Sequence, residues 1–139
     1  MATPSELLET SLQAIVLHGE AYEVAFYERL FTRFPETRPL FDATDMAEQR
    51  KKLQKSLSLI IEHLRHPEAI SSMLNELGQR HVGYGVRPEH YPLMGMVMME
   101  TFADFLGPHW TQAHHDAWVE GFEAVSRLML QGAGASPPA

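Results

Sequence analysis

The stretch Phe26-Tyr27-Glu28-Arg29-Leu30-Phe31-Thr32-Arg33-Phe34-Pro35-Glu36-Thr37-Arg38-Pro39-Leu40-Phe41 decides how the chain is to be read. With Tyr22 before it, Phe26, Leu30 and Phe34 recur four residues apart, the spacing of one apolar helix stripe. Pro35 closes that helix, because proline has no amide proton to continue the hydrogen-bond ladder. The segment from Pro35 to Pro39 then reads as a short turn that delivers Leu40 and Phe41 to a corner.

Helical signals continue on both sides. Upstream, Thr3-Pro4-Ser5-Glu6 offers a capping threonine, a proline at the first helical position and a glutamate three residues after the cap. Leu8, Leu12, Ile15 and Val16 follow at helical spacing, and Gly19 interrupts them. Downstream, Asp45 and Glu48 mark a start, and Gln49, Leu53, Leu57, Ile60 and Leu64 line one face of a long helix. His66-Pro67 breaks it. Ile70, Met73, Leu74, Leu77 and His81 form a shorter stripe, and a loop holds Gly83, Tyr84, Gly85 and Pro88. Met94, Val97, Met98, Thr101, Phe102 and Phe105 make the next stripe, stopped by Gly107-Pro108. The last helix runs from about Thr111 through Trp118, Phe122, Val125 and Met129 to Gly132. Sustained alternation, Asn-Gly or Asp-Gly hairpins and 20–50-residue repeats are all missing. The reading is all-α, with six to seven helices. Their unequal lengths and the loop after His81 argue against a four-helix bundle.

Composition narrows the chemistry. A chain of 139 residues, 45% hydrophobic, suits one domain with a core that needs no staples. Cysteine is absent, which excludes disulfides, thiolate metal sites, iron–sulfur ligation and cysteine catalysis. The formal charge of −7 opposes nucleic acid and anionic membranes as general partners. No apolar run approaches the ~20 residues of a membrane span, and the N-terminus lacks the order of a signal peptide. A cytoplasmic domain over 1–131 is expected, with 132–139 a disordered tail or truncated linker.

Two constellations carry possible chemistry. His81 continues the Ile70–Leu74–Leu77 stripe by one more step, so its imidazole points inward in the last helical turn. That geometry suits a core histidine bonded to a carbonyl, or a metal or haem ligand whose second nitrogen is held by one. Tyr27 and Gln49 form the other pair. Either the phenol reaches water and the amide is solvated, or both project donors into a shared cavity. Spacing alone leaves both pairs of alternatives open.

The order of these motifs resembles that of single-domain bacterial haemoglobins and the globin domain of flavohaemoglobins. It comprises the quoted stretch, Gln49 with Leu53, Leu77-Gly78-Gln79-Arg80-His81, His90-Tyr91-Pro92-Leu93 and Ala117-Trp118, and it covers about residues 5–131. The resemblance implies a globin fold around a haem b pocket. His81 would be the proximal iron ligand, and Phe41 would stack on the haem. Tyr27, Gln49 and Leu53 would form the distal side with Phe26 behind. Leu77, Val86, Tyr91, Met94 and Phe122 would line the remaining pocket, and Arg80 would meet a propionate. Dioxygen bound to ferrous iron is partly negative at its outer atom, so each of Tyr27 and Gln49 would contribute roughly 1.5–3 kcal/mol as a donor. That is on the order of 10–100-fold in oxygen release. Carbon monoxide, less charged, would gain less.

The resemblance has one departure. A late glutamate that tunes the proximal histidine in flavohaemoglobins falls at Ala133, beyond the expected helix end, although Tyr91 matches its tyrosine companion. Strong peroxidase-like or dioxygenase tuning is therefore not expected. Three roles stay open: reversible oxygen binding for transport or storage, nitric oxide dioxygenation with an external reductase, and gas sensing through an attached output module. Lesser signals take plain readings. His63 with His66, and His114-His115, are read as surface or helix-end residues. Arg50, Lys51, Lys52 and Lys55 are read as a solvated face, and the methionines of the Met94–Met99 run as flexible core filler.

Overall fold

The computed structural model describes residues 2–134, and the last five positions of the expected tail lie outside the described residues. Among these, six α-helices and two 3-10 segments succeed one another without a strand. They are α1 (Pro4–Val16), α2 (Ala21–Arg33), a 3-10 segment (Pro35–Phe41), α3 (Met46–Arg65), α4 (Pro67–Gly83), α5 (His90–Leu106), a 3-10 turn (Gly107–His109) and α6 (Gln112–Gly132). The corner after Pro35 is thus a 3-10 helix rather than a simple turn. Buried Thr37 holds it, its hydroxyl donating to the Phe34 carbonyl at 2.7 Å.

Three helices begin on side-chain caps. The Thr3 hydroxyl accepts the Glu6 amide at 3.2 Å, and the Asp45 carboxylate accepts that of Ala47 at 3.0 Å. Thr111 accepts the amide of His114 at 3.3 Å, and His114 Nδ1 accepts the Thr111 amide in return at 3.3 Å. A histidine therefore closes the reciprocal box usually closed by glutamate. Each cap stabilises its helix by about 1 kcal/mol.

The core is aromatic. Tyr22, Phe102 and Trp118 are fully buried, with ring centroids 4.7 Å apart for Tyr22–Phe102 and 4.6 Å for Phe102–Trp118. The Tyr22 hydroxyl donates to the Met98 carbonyl at 3.0 Å, so this buried polar group is satisfied and ties α2 to α5. Surface ion pairs Arg29–Asp104 and Arg33–Glu100 join the same two helices, and Arg65–Glu9 joins α3 to α1. Gly78 and Gly132 let α4 and α6 meet backbone to backbone: a Cβ at either would collide with the carbonyl of Met129 or Asn75. That contact fixes the helix that carries His81.

Two residues of the apolar stripes and one methionine of the Met94–Met99 run are not core. Val16 and Met73 are each 46% exposed. At 100° per residue they fall roughly 60–80° off the line of their neighbours, on the stripe's edge. Met96 is 45% exposed, whereas Met98 and Met99 are buried, so the expectation of core filler fails for Met96. No helix among the described residues is long and apolar enough to cross a membrane.

Candidate functional site

Residues of α2, the 3-10 segment and the first turn of α3 meet around Tyr27. The side chain is 5% exposed. Phe26 stands edge-on to its ring at 4.9 Å and Phe41 at 5.5 Å, with Phe31 at 6.0 Å completing an aromatic wall. Gln49 Nε2 donates to the Tyr27 hydroxyl at 3.1 Å, so the two candidate donors meet. Leu53, one turn further along α3, is buried. Burial pushes the Tyr27 phenol up to about 12, and the Gln49 hydrogen bond opposes the shift only in part. Tyr27 is therefore protonated at neutral pH. Its oxygen accepts from Gln49, while its own proton has no acceptor among the described residues. An O–H donor stands free for a guest.

His81 sits in the last turn of α4, half-buried, with Nδ1 2.7 Å from the Leu77 carbonyl. A carbonyl can only accept, so Nδ1 carries the proton and Nε2 keeps its lone pair. Burial lowers the affinity of the ring for a second proton, a shift that the Leu77 bond partly offsets. A neutral, oriented imidazole with a free Nε2 is what a metal ligand requires. After Tyr84, whose ring stands 5.9 Å from that of His81, the chain turns through Gly85 at φ +89°. The turn lets the Val86 amide donate back to the His81 carbonyl at 3.1 Å. A Cβ on Gly85 would lie 3.5 Å from Leu40 Cδ2. The loop that follows the histidine thus passes close to Leu40, the residue before Phe41.

The remaining expected positions are less tightly joined. Leu77, Val86 and Met94 are half-buried. Tyr91 and Phe122 line a cavity of about 660 Å³ between α5 and α6 that neither His81 nor Tyr27 lines. The Tyr91 hydroxyl has no hydrogen-bond partner among the described residues, and Ala133 is the residue that caps the end of α6. Arg80 is exposed. Lys51, Lys52 and Lys55 are exposed as expected, whereas Arg50 turns back toward Glu20, its Nε 3.6 Å from Oε2. Among the described residues, no three His, Asp or Glu side chains converge to hold a metal ion.

Sequence reasoning missed Glu23. It is 2% exposed, one turn before Tyr27 on α2, and burial pushes its carboxyl up to about 7. The signal was available in the spacing: Glu23, Tyr27 and Leu30 share a face with the apolar stripe.

The family model described as Globin matches residues 24–129. The flavohemoprotein of Deinococcus radiodurans is 29% identical over 134 residues, 94% of this chain and 33% of that protein. The flavohemoprotein of Rhizobium meliloti is 26% identical over 126 residues, 89% of this chain and 31% of that protein. The chain thus spans about a third of the length of these curated relatives. Among solved structures, an engineered carbene transferase made from a candidate nitric oxide dioxygenase of Rhodothermus marinus superposes with a TM-score of 0.80 at 27% identity, covering 94% of this chain and 91% of that one. A bacterial globin from Campylobacter jejuni gives a TM-score of 0.80 at 22% identity, covering 94% of each chain, and supports the fold.

Proposed function

The chain belongs to the globin family, and we propose that it holds a b-type haem through His81 Nε2 and binds dioxygen reversibly beside Tyr27 and Gln49. The haem, when bound, supplies an iron atom that shares electron density with a diatomic gas. The residues present fit such a group: a neutral imidazole with Nδ1 committed to a carbonyl, and Phe41 packed edge-on to Tyr27. Leu77, Val86 and Met94 supply apolar lining, and Leu53 with Phe26 backs the distal side.

The observation that carries the reading is the Tyr27–Gln49 hydrogen bond at 3.1 Å. Gln49 saturates one lone pair of the phenol and turns its proton outward, toward a guest with a partly negative outer atom. A neutral phenol donates without leaving an ion buried. The proximal side agrees with reversible binding. The Leu77 carbonyl is a neutral acceptor for His81 Nδ1, and Ala133 brings no carboxylate to make the imidazole more electron-donating. The account therefore favours holding the gas over activating it.

A second reading, nitric oxide dioxygenation with an external reductase, is favoured by the described origin of the Rhodothermus marinus structure. Rapid mixing separates the two. Slow oxygen release with stoichiometric consumption of nitric oxide supports the first; many turnovers to nitrate with a flavin reductase and reduced nicotinamide support the second.

A further inference from the structure

The Tyr27–Gln49 pair is flanked by a charged cluster that the functional reading does not use. Glu23 lies one helical turn before Tyr27, so the two side chains project from the same face of α2. Glu23 is 2% exposed. Arg50 follows Gln49 directly on α3 and is half-buried, and its Nε has no hydrogen bond although Glu20 Oε2 lies 3.6 Å away. Glu23 on α2, Glu20 at its N-cap and the Arg50 guanidinium on α3 therefore flank the crossing that positions the distal donors. A buried carboxylate is costly unless paired, and one guanidinium held by Glu20 serves two acids incompletely.

We infer that Glu23 is a positioning acid for the gas site: its buried side chain, one helical turn before Tyr27 on the same face of α2, sets by its protonation how strongly the distal pair holds a negatively charged or polarised ligand. This rests on the haem-binding reading above. With Glu23 protonated, no negative charge stands behind the Tyr27 hydroxyl. With Glu23 ionised, its field opposes negative charge on the guest and weakens it. By linkage, an anionic ligand that binds beside Tyr27 raises the proton affinity of Glu23 by the same coupling. The groups that act on this carboxyl are its own backbone amide, whose hydrogen bond favours the ionised form, Glu20, which favours the protonated form, and Arg50, which favours the ionised one. Tyr22 and Tyr27, both neutral, are the titratable groups beside it on α2, and among the described residues α1, α5 and the 3-10 segment add no charge that shifts it. The balance lies near neutrality, where burial leaves the carboxyl at about 7.

Fluoride binding to the hemin-loaded ferric chain tests this, because fluoride stays an anion across the range. Affinity is followed between pH 6 and pH 8.5 for the natural protein, Glu23→Gln and Arg50→Gln. Wild-type affinity falls about three- to tenfold more than that of Glu23→Gln, the size of a screened charge–charge repulsion inside a protein. Arg50→Gln, which removes the cation favouring ionisation, moves the midpoint to higher pH and keeps the test open should Glu23→Gln fold poorly. Parallel wild-type and Glu23→Gln profiles, or an unmoved midpoint in Arg50→Gln, overturn the role of Glu23 while leaving the haem site intact. Failure of all three proteins to take up hemin overturns the haem-binding reading and this inference with it.

Discussion

Gln49 Nε2 donates to the hydroxyl of Tyr27 at 3.1 Å, and this bond joins a residue of α3 to one of α2. The two helices cross where a guest would be held, so the bond is at once a packing device and a chemical one. It fixes which way the phenol proton points.

Replacing Tyr27 by Phe keeps the ring and its contacts with Phe26 and Phe41 but removes the O–H. Oxygen dissociation should quicken by about 10–100-fold, the equivalent of one hydrogen bond to a charged acceptor. Carbon monoxide dissociation should change far less, because that ligand gathers less charge. Stopped-flow release of both gases checks the difference; equal acceleration of the two would contradict a hydrogen-bond role.

His81→Ala removes the imidazole without touching the Leu77 carbonyl. The variant should lose haem on gel filtration and regain a bound, five-coordinate ferrous species when imidazole is added. A normal ferrous spectrum without imidazole would remove His81 from its proposed role.

Gly78→Ala places a methyl group where the Met129 carbonyl already lies. Overpacking of this kind costs about 1–3 kcal/mol. The urea midpoint should fall, and because α4 must back away from α6, haem retention should weaken as well. Stability within about 0.5 kcal/mol of the natural protein would show that the two helices have room to spare.

The pH dependence of stability follows from Glu23. Burial raises its folded value from 4.5 to about 7. Between those limits the folded state binds more proton than the unfolded one, so stability falls as pH rises across that window. Glu23→Gln should flatten this fall in urea titrations at pH 5 and pH 7.5. An unchanged slope would mean the carboxyl is not held in its protonated form.

Much of this was legible in the chain. The stripes, caps and prolines marked the six α-helices, since local periodicity and backbone chemistry act within a few residues, whereas the 3-10 helix Pro35–Phe41 read only as a turn. The i+4 step from Leu77 placed His81 correctly at the inner end of α4. The meeting of Tyr27 with Gln49 was not legible in the spacing, because it depends on how α2 and α3 cross; only the family resemblance implied it. Glu23 was missed for a different reason: its spacing put it on the apolar face, but a lone carboxylate is ordinarily a solvated residue. The contacts at Gly78 and Gly132 belong to the same class, as a glycine in a helix signals nothing until the neighbouring backbone arrives. Arg50 was read with the lysines beside it, but helix rotation turns it toward Glu20 while they face solvent.

The most direct test of the account is titration of the purified chain with hemin, followed by reduction and exposure to oxygen. The account predicts one equivalent bound with a sharp Soret band, then a stable oxygenated spectrum. Absence of a Soret band, or the same band in His81→Ala, would contradict it.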